Sequence, residues 1–94
     1  MSKVIDGAVA LLGGKLKNFD GSAKFVLEGE GTIMADAAGV REGDEPADVT
    51  LTATPEVFRA ILDGEMNPTT AFMTGKLKVD GSMPMAMQLG AALS

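Results

Sequence analysis

The 94-residue sequence contains no cysteine and no histidine, and it also lacks tryptophan and tyrosine. Without cysteine, the chain has no disulfide framework, no thiolate nucleophile and no zinc–thiolate site. The absence of histidine removes the Ser-His-Asp and Cys-His arrangements together with the commonest general base. We find no nucleophile paired with a base, so the sequence predicts that the protein is not an enzyme and that it uses neither a cofactor nor a metal.

Long hydrophobic runs are also absent. No segment approaches the roughly 18 consecutive apolar residues of a membrane span, so we expect no stable membrane insertion. The stretch AVALLGG from Ala8 to Gly14 is short and follows Asp6, which is not typical of a signal peptide. The sequence ends in AALS, which is not a peroxisomal address. These features predict a cytoplasmic protein.

The net charge indicates which partners the protein is not expected to bind. Thirteen acidic residues against eight basic ones give a net charge of −5. Such a field repels phosphate backbones and anionic lipid surfaces, so we expect no nucleic-acid partner. The length fits one domain over residues 1–94, and an apolar content of 46% is typical of a globular chain.

Alternating patterns predict the strands. The segment Ser22–Ala37 indicates a hairpin that turns at Gly29-Glu30, and Ala47–Thr54 alternates apolar with polar residues. A short strand or loop follows from Gly39 to Pro46, and a last strand is predicted over Lys76–Asp80. One face of this sheet is polar, so it is antiparallel or mixed, and the helices must cover the other face. The result is a two-layer α+β domain.

Capping signals predict the helices. A first helix is expected to begin after Ser2 and to end at Gly13-Gly14. Thr54-Pro55 starts a second helix that Gly64 ends, and Asn67-Pro68 starts a shorter helical segment ended by Gly75. Ser82 caps a terminal helix.

The terminal helix is apolar nearly all round. On a helical wheel Met83, Ala86, Met87 and Gly90 fall on one side, and a second apolar group falls almost opposite: Met85, Leu89 and Ala92. A helix of this kind must be covered on both sides. The second cover could be more protein, a partner subunit or a bound apolar molecule.

Other motifs favour ordinary structure. Gly29-Glu30-Gly31 lies inside the hairpin and has no following helix, so it predicts a turn rather than a nucleotide loop. The acidic stretch EGDEPAD (Glu42–Asp48) lacks the spacing of a calcium-binding EF-hand loop.

The segment from Ala47 to Leu89 resembles the sterol carrier protein two domain, the nonspecific lipid-transfer family. The matching features come in order: the Ala-Asp-Val-Thr-Leu strand, the Pro-Glu-x-Phe helix, Asp63-Gly64, Asn67-Pro68, Ala71-Phe72, Gly75-Lys76-Leu77-Lys78, Gly81, Met83, Ala86-Met87 and Leu89. The hairpin Ser22–Gly39 is similar to the family's first hairpin, less specifically. The sequence departs from the family in lacking a tryptophan on the second strand, in a first helix that is short and contains glycine, and in ending soon after Leu89.

The resemblance implies a five-stranded, mainly antiparallel sheet covered on one face by helices, with a hydrophobic tunnel between the layers. Such a tunnel accepts fatty acyl chains, acyl-CoA, phospholipids, sterols or isoprenoids. The implied helical lining is Phe58, Ile61, Leu62, Phe72, Met73, Met83, Met87 and Leu89. The implied sheet floor is Phe25, Leu27, Ile33, Val49 and Leu51. Within this scheme we expect Met87 to face the ligand, whereas Leu77 is mid-strand and structural.

The sequence thus predicts a non-catalytic carrier of long apolar molecules. The alternative is a protein interaction or dimerisation module, in which the second side of the terminal helix packs against another copy or a partner. A carboxylate-based enzyme ranks third.

Overall fold

A computed structural model describes residues 3–16 and 21–93. Its strands are β1 (Ala23–Leu27), β2 (Gly31–Asp36), β3 (Gly39–Glu42), β4 (Val49–Ala53) and β5 (Lys78–Gly81). The helices are α1 (Lys3–Lys15), α2 (Pro55–Leu62), α3 (Pro68–Met73) and α4 (Met83–Leu93). The predicted cap at Ser2 lies outside the described residues.

The five strands form one mixed sheet in the order β3-β2-β1-β4-β5. Strands β1 and β4 run parallel, with Ala23 opposite Val49, and every other neighbouring pair is antiparallel. The prediction of a two-layer α+β domain with a mainly antiparallel sheet is therefore confirmed.

The interior lies between the inner face of the sheet and the helices. The alternating residues Ala23, Phe25 and Leu27 of β1 are buried, and Phe25 meets Phe58 of α2 edge to face with 6.0 Å between ring centroids. Helix α1 covers β2 and β3 and contacts α2, whose Phe58 meets β1, and α4 covers the part formed by β4 and β5. This division places the C-terminal helix over one edge of the sheet.

The first helix runs through the two glycines that were predicted to end it. It continues to Lys15, and Leu16 donates its backbone N–H to the Leu12 carbonyl at 2.8 Å. Neither glycine has a positive φ, and Leu12 and Leu16 are both buried. Tertiary packing of these leucines therefore outweighs the low helix propensity of glycine.

The last strand begins two residues later than predicted. The backbone N–H groups of Lys76 and Leu77 both donate to the Ala71 carbonyl, at 2.9 and 3.1 Å. Gly75 supplies the left-handed turn, with φ 78°, that makes this possible. Lys76 and Leu77 are therefore hydrogen-bonded to the end of α3, and β5 pairs with β4 only from Lys78 onward.

The outer face of the sheet is less open than the alternation predicted. Met34 points away from the helices yet is only 1% exposed, next to Gly43 in the segment after β3. Lys24 pairs with Asp44 at 2.9 Å across the same face. The segment that follows β3 thus covers part of the face that was expected to be solvated.

Candidate functional site

An apolar cavity of about 470 Å³ lies between the β4–β5 edge of the sheet and helices α3 and α4. The sheet and the segment before β5 contribute Leu51, Leu77 and Val79. The lining from α3 and its cap is Asn67, Pro68, Thr69, Phe72 and Met73, and the lining from α4 is Met83, Ala86, Met87, Gly90, Ala91 and Leu93. Hydrocarbon dominates this surface.

The two apolar sides of α4 have different surroundings. Leu89 is fully buried, and Met85 and Ala92 pack against the core on the same side. Met87, on the opposite side, is 74% exposed and lines the cavity. The wheel therefore separated the core side of this helix from the cavity side.

Side-chain caps determine where α3 and α4 begin. Asn67 caps α3 by accepting backbone N–H bonds from Thr69 and Thr70 at 2.8 and 3.3 Å. Ser82 caps α4, where its hydroxyl accepts the N–H of Met85 at 3.4 Å.

Two glycines near the cavity have different roles. At Gly81, immediately before α4, a Cβ would lie 2.4 Å from the Asp48 carbonyl oxygen, and φ is 100°. At Gly90 a Cβ would lie 3.8 Å from Cβ of Pro68, which is ordinary contact. Gly81 lets the turn before α4 pass close to the start of β4, and Gly90 leaves space between α3 and α4.

The cavity opens to solvent at a rim of four large apolar side chains. Met73 is 79% exposed and Met87 74%, while Phe72 and Met83 are a little under half exposed. All four also line the cavity. We call Phe72, Met73, Met83 and Met87 the rim. An open groove of this kind admits an elongated apolar molecule from outside.

No charged residue within residues 3–16 and 21–93 belongs to the lining. Its polar side chains are Asn67 and Thr69, and the Asn67 side-chain oxygen already accepts two backbone bonds. Among the described residues, the resolved pKa shifts belong to Asp36 and Arg41, a pair on β2 and β3. There the hydrogen bonds donated by Arg41, at 3.0 Å, hold the pKa of Asp36 below its usual value. The described lining therefore offers mainly apolar contact.

Five of the thirteen side chains predicted from the resemblance line this cavity. They are Leu51, Phe72, Met73, Met83 and Met87. The other eight are buried in the close-packed core: Phe25, Leu27, Ile33, Val49, Phe58, Ile61, Leu62 and Leu89. Their contact with a ligand stays a prediction.

Several lining residues were not among the thirteen predicted from the resemblance. Val79 and Leu77 alternate with lysines, which indicated the covered face of a strand but not a free space beside it. Leu77 was interpreted as purely structural; it is 5% exposed and also lines the cavity. Ala86 and Gly90 lay on the predicted stripe of α4, so the wheel could have identified them.

No helix among residues 3–16 and 21–93 is long and apolar enough to cross a membrane. The described part of the chain contains no group of three or more His, Cys, Asp or Glu side chains placed to hold a metal ion.

Comparison with known proteins relates this chain to one family. The sequence matches the SCP-2 sterol transfer family over residues 4–94. Human sterol carrier protein 2 is 39% identical over 64 residues, which span 68% of this chain and 11% of that protein. The chain thus corresponds to a small part of these curated relatives.

Solved structures share the architecture. Sterol carrier protein 2 from Yarrowia lipolytica, in its apo form, gives a TM-score of 0.72 with 25% identity, covering 96% of this chain and 84% of that one. Sterol carrier protein 2 from Aedes aegypti, in complex with the C16 fatty acid palmitate, gives 0.77 with 24% identity and full coverage of both chains. Because the family match extends over almost every residue, the chain belongs to the SCP-2 sterol transfer family.

Proposed function

We propose that this chain binds and carries long-chain lipids in the cavity between α3, α4 and the β4–β5 edge. The observation that carries the proposal is the cavity side of α4, where an apolar helix face borders open space instead of protein. A bound acyl chain would supply the second apolar surface that the helix requires. Membership of the family and the palmitate complex of the Aedes aegypti protein support this proposal.

The size of the cavity suits a long acyl chain. A volume of about 470 Å³ falls in the range of small-molecule sites, roughly 300–1,000 Å³. Each buried methylene stabilises the complex by about 0.8 kcal/mol, and association costs at least about 4 kcal/mol. Micromolar affinity needs about 8 kcal/mol, which corresponds to about fifteen methylenes. We therefore propose fatty acyl chains and their esters as the ligand class.

The polar head of the ligand should stay outside. Among the residues that the structure describes, the lining has no charged side chain to pair with a carboxylate or phosphate, and an unpaired charge is costly to bury. The acyl tail would enter while the head remains at the solvent-exposed rim. The same lack of charged groups favours carriage of the lipid over chemistry on it.

Two neighbouring positions on α4 give a matched test. Met87 lines the cavity, whereas Gln88 is exposed and does not belong to the lining. Met87→Glu and Gln88→Glu introduce the same charge one residue apart, and glutamate is a good helix former. Delipidated variants should be titrated with a fluorescent fatty acid, followed by competition with unlabelled acyl chains.

We expect Met87→Glu to weaken binding at least tenfold and Gln88→Glu to bind as the parent does. Circular dichroism and thermal melts check that both variants fold. A parent protein with no saturable signal in the tens of micromolar range would remove the carrier function.

A homodimerisation module is the second candidate, favoured by the exposure of Met73 and Met87. Sedimentation of the parent and of Met87→Glu separates the two functions. A parent dimer that Met87→Glu converts to a monomer with unchanged lipid binding would replace the carrier with the interaction module.

A further inference from the structure

We infer that the rim of Phe72, Met73, Met83 and Met87 is a docking surface for a zwitterionic lipid surface, which brings the mouth of the cavity against the source of its ligand. This inference deepens the proposed function and rests on it. It begins from the position of the rim residues, which both line the cavity and project into solvent.

The exposed area of the rim distinguishes between a lipid surface and a second copy of the chain as its occupant. Taking about 200 Å² for each large apolar side chain, the exposed fractions of the rim leave about 500 Å² in contact with water. A stable protein interface buries roughly 800 Å² on each partner. The rim is therefore small for a second copy of the chain. A lipid surface needs no matched partner surface, because each side chain can enter the interface by itself.

The charge distribution favours the same occupant. Residues 66–94 carry two lysines and one aspartate, a net charge of +1, whereas the first 65 residues hold twelve acids and six bases, a net charge of −6. Helices α3 and α4 contain no charged side chain at all. All four rim residues therefore lie on helices without a charged group that would have to lose its hydration at a lipid interface.

Helix α1 offers a second exposed apolar pair, Val4 and Leu11, at 44% and 41% exposure. Charged Lys3 and Asp6 lie on the same exposed stretch of that helix. The cavity lining contains no residue of α1. Docking through α1 would leave the mouth of the cavity facing elsewhere, whereas docking through the rim lets an acyl chain move between bilayer and cavity without crossing water.

The absence of tryptophan and tyrosine makes the docking face directly observable. Met73→Trp and Leu11→Trp each place a single indole on one of the two exposed apolar surfaces, and tryptophan prefers the membrane–water interface. Ligand-free variants are mixed with phosphatidylcholine vesicles, with and without brominated acyl chains. We expect a blue shift and bromine quenching for Met73→Trp and neither change for Leu11→Trp.

Vesicle flotation supplies an independent measurement with charged variants. Met73→Glu should reduce the vesicle-bound fraction at least tenfold relative to the parent, and Leu11→Glu should leave it unchanged. The docking inference is overturned if the α1 variants respond and the rim variants do not, or if neither set responds. It is also overturned if sedimentation shows a parent dimer that Met73→Glu dissociates.

Titration with the fluorescent fatty acid in vesicle-free solution keeps the two proposals separate. Saturable fatty-acid binding without vesicle association supports the carrier function and removes the docking surface. Vesicle association through the rim without saturable fatty-acid binding removes the carrier function and leaves a membrane-docking face.

Discussion

Filling the cavity from within its own wall tests whether the empty space is the binding site. Gly90 is well suited to this, because it lies on α4, lines the cavity and has no positive φ. A Cβ there meets only Pro68, at 3.8 Å, so a larger side chain can extend into the space between α3 and α4. Gly90→Leu therefore adds hydrocarbon where a ligand would otherwise lie.

The expected loss of ligand affinity follows from the volume of the added side chain. Removing one leucine side chain from a core leaves roughly 150 Å³, so adding one fills about a third of a cavity of about 470 Å³. The four carbons of the added side chain displace about four methylenes of the ligand, each worth roughly 0.8 kcal/mol on burial. The loss of about 3 kcal/mol would weaken binding up to about 100-fold. Because the groove is open and a chain can shift, we expect at least tenfold.

Stability should change in the opposite direction. Replacing glycine inside a helix removes a penalty of roughly 0.5–1 kcal/mol, so Gly90→Leu should melt at or above the temperature of the parent. Gln88→Leu is the control, since it adds the same side chain to the exposed part of α4 away from the lining. Its affinity should match that of the parent.

Fatty-acid titration and thermal melts on these two variants decide the matter. A folded Gly90→Leu protein that binds like the parent would show that the ligand lies elsewhere. A Gly90→Leu protein that unfolds would show that the space beside Gly90 is not available to a side chain.

Three further predictions concern the fold around the cavity. Leu89→Ala removes a fully buried side chain of α4 and should lower the free energy of unfolding by about 2–5 kcal/mol. Met87→Ala, at a position that is 74% exposed, should lower it by less than about 1 kcal/mol. Urea denaturation of both variants measures the difference. Thr54→Ala loses the side-chain cap that accepts the Val57 N–H at 3.3 Å and should lower stability by about 1 kcal/mol in the same assay. The hydrogen bonds from Arg41 lower the pKa of Asp36, so their contribution is present above the ordinary value of 3.8 and lost as pH falls through the lowered pKa; the stability deficit of Asp36→Asn measured at pH 7 should therefore vanish well below pH 3.8, and a deficit independent of pH would refute the ion-pair account.

The elements of this fold are largely encoded by short-range patterns. Alternation predicted the hairpin and β4, and the caps at Thr54, Asn67 and Ser82 all form as the sequence indicated. These interactions involve residues a few positions apart, so their geometry follows from local backbone chemistry. The errors at Gly13-Gly14 and at the start of β5 arose where distant side chains or the end of another helix competed with the local signal.

The position of the cavity could be determined only from the tertiary structure. Helical periodicity placed Leu89 and Met87 on opposite apolar sides of α4, but it could not state which side meets packed protein and which meets open space. Phe58 and Phe72 are chemically identical in sequence, yet one closes the core against Phe25 and the other borders the cavity. A cavity is a gap left where α3, α4 and the edge of the sheet fail to fill the volume between them. Its position depends on how these elements pack in three dimensions, because no single segment contains it.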